Sequence, residues 1–223
     1  MIITIDGPAG SGKSTAARKL AAKLEVPYLD TGAMYRAIAH EGLRRRIDLA
    51  DVQAALNMAK TLRLELDCGP TYTRIRVDGH DVSEAIRTMA VSAATSEVAR
   101  NGPIRELLVE QQRQIGRRLG AFVTEGRDQG SVVFPHADFK FVLDASLERR
   151  AQRRHQELLV DGDNVSILEV MENLRSRDEV DFKQWEPLLC AGAATLIDTT
   201  NLGIAEVVQC MAKRISEASR SAK

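Results

Sequence analysis

Eight residues near the start of the chain restrict its fold more than any others. Gly7-Pro8-Ala9-Gly10-Ser11-Gly12-Lys13-Ser14 fits the spacing G-x-x-x-x-G-K-[ST] at every fixed position. The preceding residues 1–6 (MIITID) are a short β-branched apolar run, the pattern of a buried strand. Ala17, Leu20, Ala21 and Leu24 then recur at helical spacing. Strand, glycine loop and helix in that order form a phosphate-binding loop. Glycines allow successive backbone N–H groups to turn toward one point, and the new helix adds the positive end of its dipole there. Lys13 supplies a mobile positive charge for the outer phosphates, and the Ser14 hydroxyl is placed to coordinate Mg²⁺. The stretch predicts a nucleoside triphosphate site.

With 223 residues, the chain has room for one large α/β domain with small insertions. Lysine plus arginine balances aspartate plus glutamate at 31 each, and aromatic residues make up 4%. Neither a basic field nor a stacking surface for nucleic acid is therefore expected. Cys68, Cys190 and Cys210 are odd in number and lack a C-x-x-C pair, which suits reduced thiols in a cytoplasmic protein rather than disulfides or a zinc site. His40, His80, His136 and His155 show no metal-ligand spacing and are expected at the surface. No basic leader with a long apolar stretch opens the chain. No segment approaches the ~20 apolar residues of a membrane span, so no membrane partner is expected.

Along the chain, residues 26–30 (VPYLD) form a second strand candidate. They open into DTGAMYRA, where a capping residue precedes a helical run to about Leu43 and Arg36 can aim into the pocket at the helix start. Arg44, Arg45 and Arg46 suit the far end of that helix. Residues 51–60 read as helix. Residues 62–67, 74–78 and 80–82 alternate apolar and polar around Cys68-Gly69-Pro70 and Asp78-Gly79, predicting a small antiparallel meander within an insertion. Residues 84–120 return to helix, restarted at Pro103. Residues 121–124 (AFVT) predict a third core strand, ending in the charged, glycine-threaded loop EGRDQG. Ligands of open α/β sheets sit at such strand ends. Strands at 139–144 and 195–198 follow, with helices at 148–161 and 166–180, a linker at 161–164, and a last helix at 204–215 before a frayed tail from 216. Ser166 and Glu169 have capping-box spacing. The fold expected is a doubly wound α/β domain of the P-loop type: five parallel strands with helices on both faces and a small antiparallel insertion.

A phosphate loop alone admits an ATPase, a GTPase switch, a motor or a kinase. No N-K-x-D guanine reader is present, and arginines recur at separated loop and helix positions (Arg36, Arg105, Arg127, Arg150, Arg153, Arg154, Arg177). Phosphoryl transfer between two anionic nucleotides calls for such an arrangement, because its catalysis is mostly positioning and charge stabilisation.

GPAGSGKST, DTGAMYRA, VSEAIRT, GPIRELL with QQR, EGRDQGSVVFP, LDASLERRAQRR, SRDEVD, PLL and LIDTT occur in this order. Together they resemble bacterial cytidylate kinase over nearly the whole chain. The resemblance implies Mg²⁺-dependent transfer of the ATP γ-phosphoryl group to CMP or dCMP by a cytoplasmic monomer. It implies a core at 1–35, 86–147 and 182–223, an acceptor-binding insertion at about 36–85 and a lid at about 148–181. It also implies that Gly10, Gly12, Lys13, Ser14 and Thr15 hold ATP phosphates and metal. Thr31, Arg36 and Arg127 would then meet the acceptor, the two arginines at its phosphate. Ser96, Arg105 and Asp128 would face cytosine, Arg177 and Asp181 the ribose, and Arg150, Arg153 and Arg154 would close from the lid.

Cytosine offers an amino donor beside a ring nitrogen and a carbonyl. A carboxylate at Asp128 and a guanidinium at Arg105 complement it, and uracil reverses part of that pattern. The chain departs from the family pattern at Gln129, His136, Gln184 (usually a second phosphate-binding arginine) and Ala193. A P-loop kinase with another small-molecule acceptor, or an ATP-binding regulatory module, are the alternative readings.

Overall fold

The structure, a computed structural model, describes the backbone of residues 1–160 and 165–221, and all side chains there except those at 177, 179–181 and 219–221. The linker expected at 161–164 lies outside the described residues.

Strand β1 (Ile2–Asp6) runs into the glycine loop and helix α1 (Lys13–Leu24), then β2 (Tyr28–Asp30) and α2 (Thr31–Arg44). Asp30 caps α2 by accepting from the Ala33 amide at 3.0 Å. Next come α3 (Val52–Thr61) and the meander β3 (Leu64–Cys68), β4 (Thr73–Val77) and β5 (His80–Asp81), paired antiparallel as the alternation predicts. A 3₁₀ turn (Ala85–Arg87) leads into α4 (Met89–Arg100) and α5 (Gly102–Leu119). Strand β6 (Phe122–Glu125), a π-helical turn (Gln129–Val133) and β7 (Phe139–Asp144) precede α6 (Leu147–Val160) and α7 (Ile167–Cys190); β8 (Thr195–Asp198) and α8 (Ile204–Ser221) end the chain.

The main sheet has the order β2-β6-β1-β7-β8, every pairing parallel. From β1 the chain moves outward to β2 and returns to β6, and from β6 it crosses β1 to β7. The crossing point lies beside the C-terminal end of β1, where such sheets hold ligands. Ile3 and Ile5 of β1 join Leu20, Val207 and Met211 in the core beneath α1 and α8. A second core gathers α2, α3, α4 and α5 with Phe122, Val133 and Phe134. There the Phe122 and Phe134 rings meet edge to face at 5.1 Å, and a Cβ at Gly116 would stand 2.7 Å from Phe134, so Gly116 is what admits the ring. Each fully buried side chain of this size contributes on the order of 1.5–3 kcal/mol.

Three expectations are corrected. The loop expected at 125–130 gives way at Gln129 to a π turn that runs to Val133, because the Phe134 amide reaches back to the Gln129 carbonyl at 2.7 Å while the Asp6 carboxylate takes the first two amides of the turn. The helix expected to stop at 180 continues to Cys190. Pro187 removes one backbone bond, and burial of Trp185 and Leu188 against Val142 offsets the loss. The last helix continues past 215 to Ser221, into the stretch expected to fray. The capping box of Ser166 and Glu169 is formed as the spacing predicts. Among the described residues, no helix is long and apolar enough to cross a membrane.

Candidate active site

The glycine loop takes the conformations its sequence demands. Gly7, Gly10 and Gly12 have φ of 134°, 79° and 90°, and a Cβ on Gly7 would lie 2.1 Å from the Leu143 carbonyl oxygen. Lys13 opens α1 and donates through Nζ to the Pro8 carbonyl at 2.6 Å, so its ammonium folds back over the loop. The Ser14 hydroxyl donates to Glu125 Oε1 at 2.8 Å. Thr15 is exposed on the same first turn. From the far side, the Thr199 hydroxyl donates to the Ser11 carbonyl at 3.1 Å, tying the loop after β8 to the cradle.

Glu125, the last residue of β6, stands at the centre of the site although sequence reasoning gave it no role. Its buried carboxylate accepts from Ser14 and, at 3.4 Å, from the Tyr28 hydroxyl, while its backbone carbonyl accepts from the Thr31 hydroxyl at 2.8 Å. Burial, with the Asp30 charge nearby, pushes its titration upward, and Lys13, Ser14 and Arg36 oppose that. Asp30 is held in turn by Arg87 at 2.8 Å. The signal that could have found Glu125 is its position as the first acid after an apolar strand.

One loop further on, Arg105 Nη2 and Asp128 Oδ2 meet at 2.6 Å, with the Asp128 carboxylate buried and Arg105 one-third exposed. They line a cleft of about 540 Å³ together with Gly102, Glu106, Arg113 and Val132. The Tyr35 hydroxyl borders the pair; burial and the Asp128 charge push its titration up to about 12, so it stays a neutral donor. Two residues expected to act together are thus placed together, by α5 and by the loop after β6.

The model of the Cytidylate kinase family matches residues 3–217 of this chain. The chain belongs to the cytidylate kinase family. It is 46% identical over 219 residues to the cytidylate kinase of Caldanaerobacter subterraneus subsp. tengcongensis, covering 98% of this chain and 94% of that protein. It is 41% identical over 217 residues to the cytidylate kinase of Clostridioides difficile, covering 97% and 98%. An uncharacterized protein from Eubacterium ventriosum, 12% identical, shares the fold at a TM-score of 0.53 over 97% of this chain and 98% of that one.

In this cytidylate kinase family chain the remaining expected site residues fall into three groups. Arg36 and Arg127 are half-buried, Arg36 beside Gly32 in the first turn of α2 and Arg127 in the loop after β6; Ser96 is half-buried on α4. The lid arginines do not converge. Arg150 is buried, donates to the carbonyls of Ala145 and Ala9, and grips Asp178 through both terminal nitrogens at 2.9 and 2.6 Å. Arg153 donates to the hydroxyl and carbonyl of Thr199, and Arg154 pairs with Glu157 near the surface. Arg177 and Asp181 fall on α7, and their side chains lie outside the described residues.

α2 is continuous across the boundary expected at residue 35, and α7 across the one expected at 181.

Proposed function

We propose that this chain is an ATP-dependent, Mg²⁺-requiring kinase of CMP and dCMP, acting as a monomer, with the core, acceptor-binding insertion and lid divided near residues 36–85 and 148–181. The observation that carries the acceptor half is the Arg105–Asp128 pair lining a cleft at the same sheet edge as the glycine loop. Asp128 presents a carboxylate to the amino group of cytosine, and Arg105 donates to its acceptors.

In the reaction a phosphate oxygen of CMP attacks the γ-phosphorus of ATP. The bond from that phosphorus to the β,γ-bridging oxygen breaks, and ADP leaves with the electron pair. Residues 7–15 cradle the ATP phosphates with backbone amides, and Lys13 leaves the Pro8 carbonyl for the outer phosphates. Arg36 and Arg127 orient the acceptor phosphate, with Thr31 also meeting the acceptor; Ser96 faces the cytosine with Arg105 and Asp128, and Arg177 and Asp181 serve the ribose. Arg150, Arg153 and Arg154 bring positive charge from α6 when the lid closes and water is excluded. The Ser14 hydroxyl and Glu125 carboxylate are hard oxygen donors 2.8 Å apart, which suits Mg²⁺. Among the described residues, no group of three or more acidic, histidine or cysteine side chains could hold a metal ion. Bound at Ser14 and Glu125, Mg²⁺ would neutralise charge shared by the outer phosphates.

A coupled assay with ATP, Mg²⁺ and a panel of monophosphates tests the reading. Turnover strongest with CMP and dCMP, abolished in Lys13→Ala, is expected; turnover confined to another acceptor would overturn the substrate, and full activity of Lys13→Ala the donor site.

A further inference from the structure

Along β1, side chains alternate between the two faces of the sheet. Ile3 and Ile5 enter the apolar core beneath α1 and α8. Thr4 and Asp6, both fully buried, face the π turn that follows Asp128. The Asp6 carboxylate spends both oxygens on backbone: Oδ1 accepts from the Gln129 amide and Oδ2 from the Gly130 amide, each at 2.8 Å. Gly130 permits this approach, since a Cβ there would lie 2.8 Å from Thr4 Oγ1 and 3.1 Å from Asp6 Oδ2. Asp6 is followed directly by Gly7 of the phosphate loop, and Gln129 directly follows Asp128.

A buried carboxylate is costly, and a structural link between strand and turn does not require one; a neutral amide or water serves such links. What the carboxylate provides is two charge-assisted bonds to successive amides, a geometry that fixes the turn in position and orientation. We infer that Asp6 is a positioning residue: through the amides of Gln129 and Gly130 it sets Arg127 and Asp128 at a fixed distance from the phosphate loop, so that acceptor and donor meet in line. Asp6 touches neither nucleotide and acts through the backbone of the acceptor loop. The inference rests on the acceptor lying at Arg127 and Asp128.

A second property of the same geometry supplies a readout. Burial raises Asp6 from 3.8 to about 7; the two amides and the Lys13 charge oppose this, and the Asp128 charge adds to it. β7 sets the uncharged Val142 level with Asp6, and α7 brings the uncharged Leu188 against Gly130. Protonation leaves one carboxyl oxygen a poor acceptor, so the neutral acid, although it suits the buried site, fixes the turn less rigidly than the carboxylate does.

Asp6→Asn keeps the volume and turns one acceptor into a donor facing an amide. We expect kcat/KM for CMP to fall about tenfold or more in this variant, with KM for ATP within about twofold of wild type. The acid limb near pH 7 is lost as well. The second ionisation of the acceptor phosphate, near 6, appears in both proteins, so the limb that disappears is the one read. A folded variant whose acceptor kcat/KM and pH profile equal those of wild type would overturn the inference. Should the variant fail to fold, exchange of the Gln129 and Gly130 amides in wild type decides. Protection of both amides far above that of their exposed neighbours in the loop, after correction for intrinsic exchange, supports the clamp, and exchange near the intrinsic rate refutes it. If CMP were the wrong acceptor, wild type itself would fail with CMP, a result separate from either of these.

Discussion

Replacing Asp128 with asparagine keeps the shape of the acceptor cleft and changes its hydrogen-bond polarity. In the native structure the carboxylate is buried and paired with Arg105 at 2.6 Å, while its other oxygen is free to accept from a cytosine amino group. An amide in its place can still accept with its carbonyl oxygen, but without charge. It can also turn its NH₂ toward the carbonyl that uracil carries at that position. Loss of charge assistance toward CMP is worth about 1–2 kcal/mol, and relief of the unpaired, repelled contact toward UMP about the same. One-third exposure of Arg105 screens the pair, which argues for the lower figures. Together these terms predict that the ratio of kcat/KM for CMP over UMP falls by about 30–100-fold, with KM for ATP unchanged. Steady-state kinetics with both acceptors at saturating ATP measures it. A ratio equal to that of wild type in a folded Asp128→Asn protein would show that Asp128 does not read the base. A loss shared equally between both acceptors would make the Arg105 pair merely structural.

Gly7→Ala places a methyl group 2.1 Å from the Leu143 carbonyl at a φ of 134°, so the loop or β7 must shift; ATP binding by calorimetry should be lost before global stability, which falls by about 1–3 kcal/mol in urea melts. Gln184→Arg restores the guanidinium that the family pattern carries on α7 and should lower KM for CMP about fivefold through a charge-assisted phosphate contact; an unchanged KM would mean this slot does not face the acceptor. Because Asp6 titrates near 3.8 when unfolded and about 7 when folded, the native state holds the extra proton between those values. Stability therefore falls as pH rises from about 4 to 7, by roughly 4 kcal/mol from this group, and that part of the slope should be missing from Asp6→Asn melts over that range.

The phosphate loop was fully legible because its spacing encodes backbone geometry: Gly7, Gly10 and Gly12, the three glycines of the motif, all have positive φ. The meander was legible through its alternation, and the Arg105–Asp128 pair through family motifs brought together by the fold. Glu125 and Asp6 were not. Each closes an apolar strand, and nothing local distinguishes an acid that caps a strand at the surface from one that ends it in the interior. Only the sheet order, which sets β6 beside β1, shows that both are covered. The π turn was hidden for a related reason. It depends on Asp6, more than a hundred residues earlier in the chain, taking amides that a shorter-range turn would otherwise use. Helix α7 outran its expected end because Trp185 and Leu188 find a tertiary partner in Val142, which outweighs the proline.

The two half-sites are therefore not independent pockets placed on a common scaffold. Ile3 and Ile5 hold α1, and with it Lys13 and Ser14, against one face of the sheet; Asp6, with Thr4 packed beside it, holds the π turn against the other. In a strand, side chains alternate strictly, so a change that slides β1 by one residue against β6 or β7 would exchange these sets. It would drive a carboxylate into the apolar core and an isoleucine against two unpaired amides. The parallel pairing on both sides of β1 makes that slip costly, which keeps the spacing of the glycine loop and the π turn as firm as the register of the central strand. Phosphoryl transfer depends on in-line positioning of attacking and leaving oxygens. On the function proposed above, the five-residue strand β1 is the part of the fold that supplies it most directly.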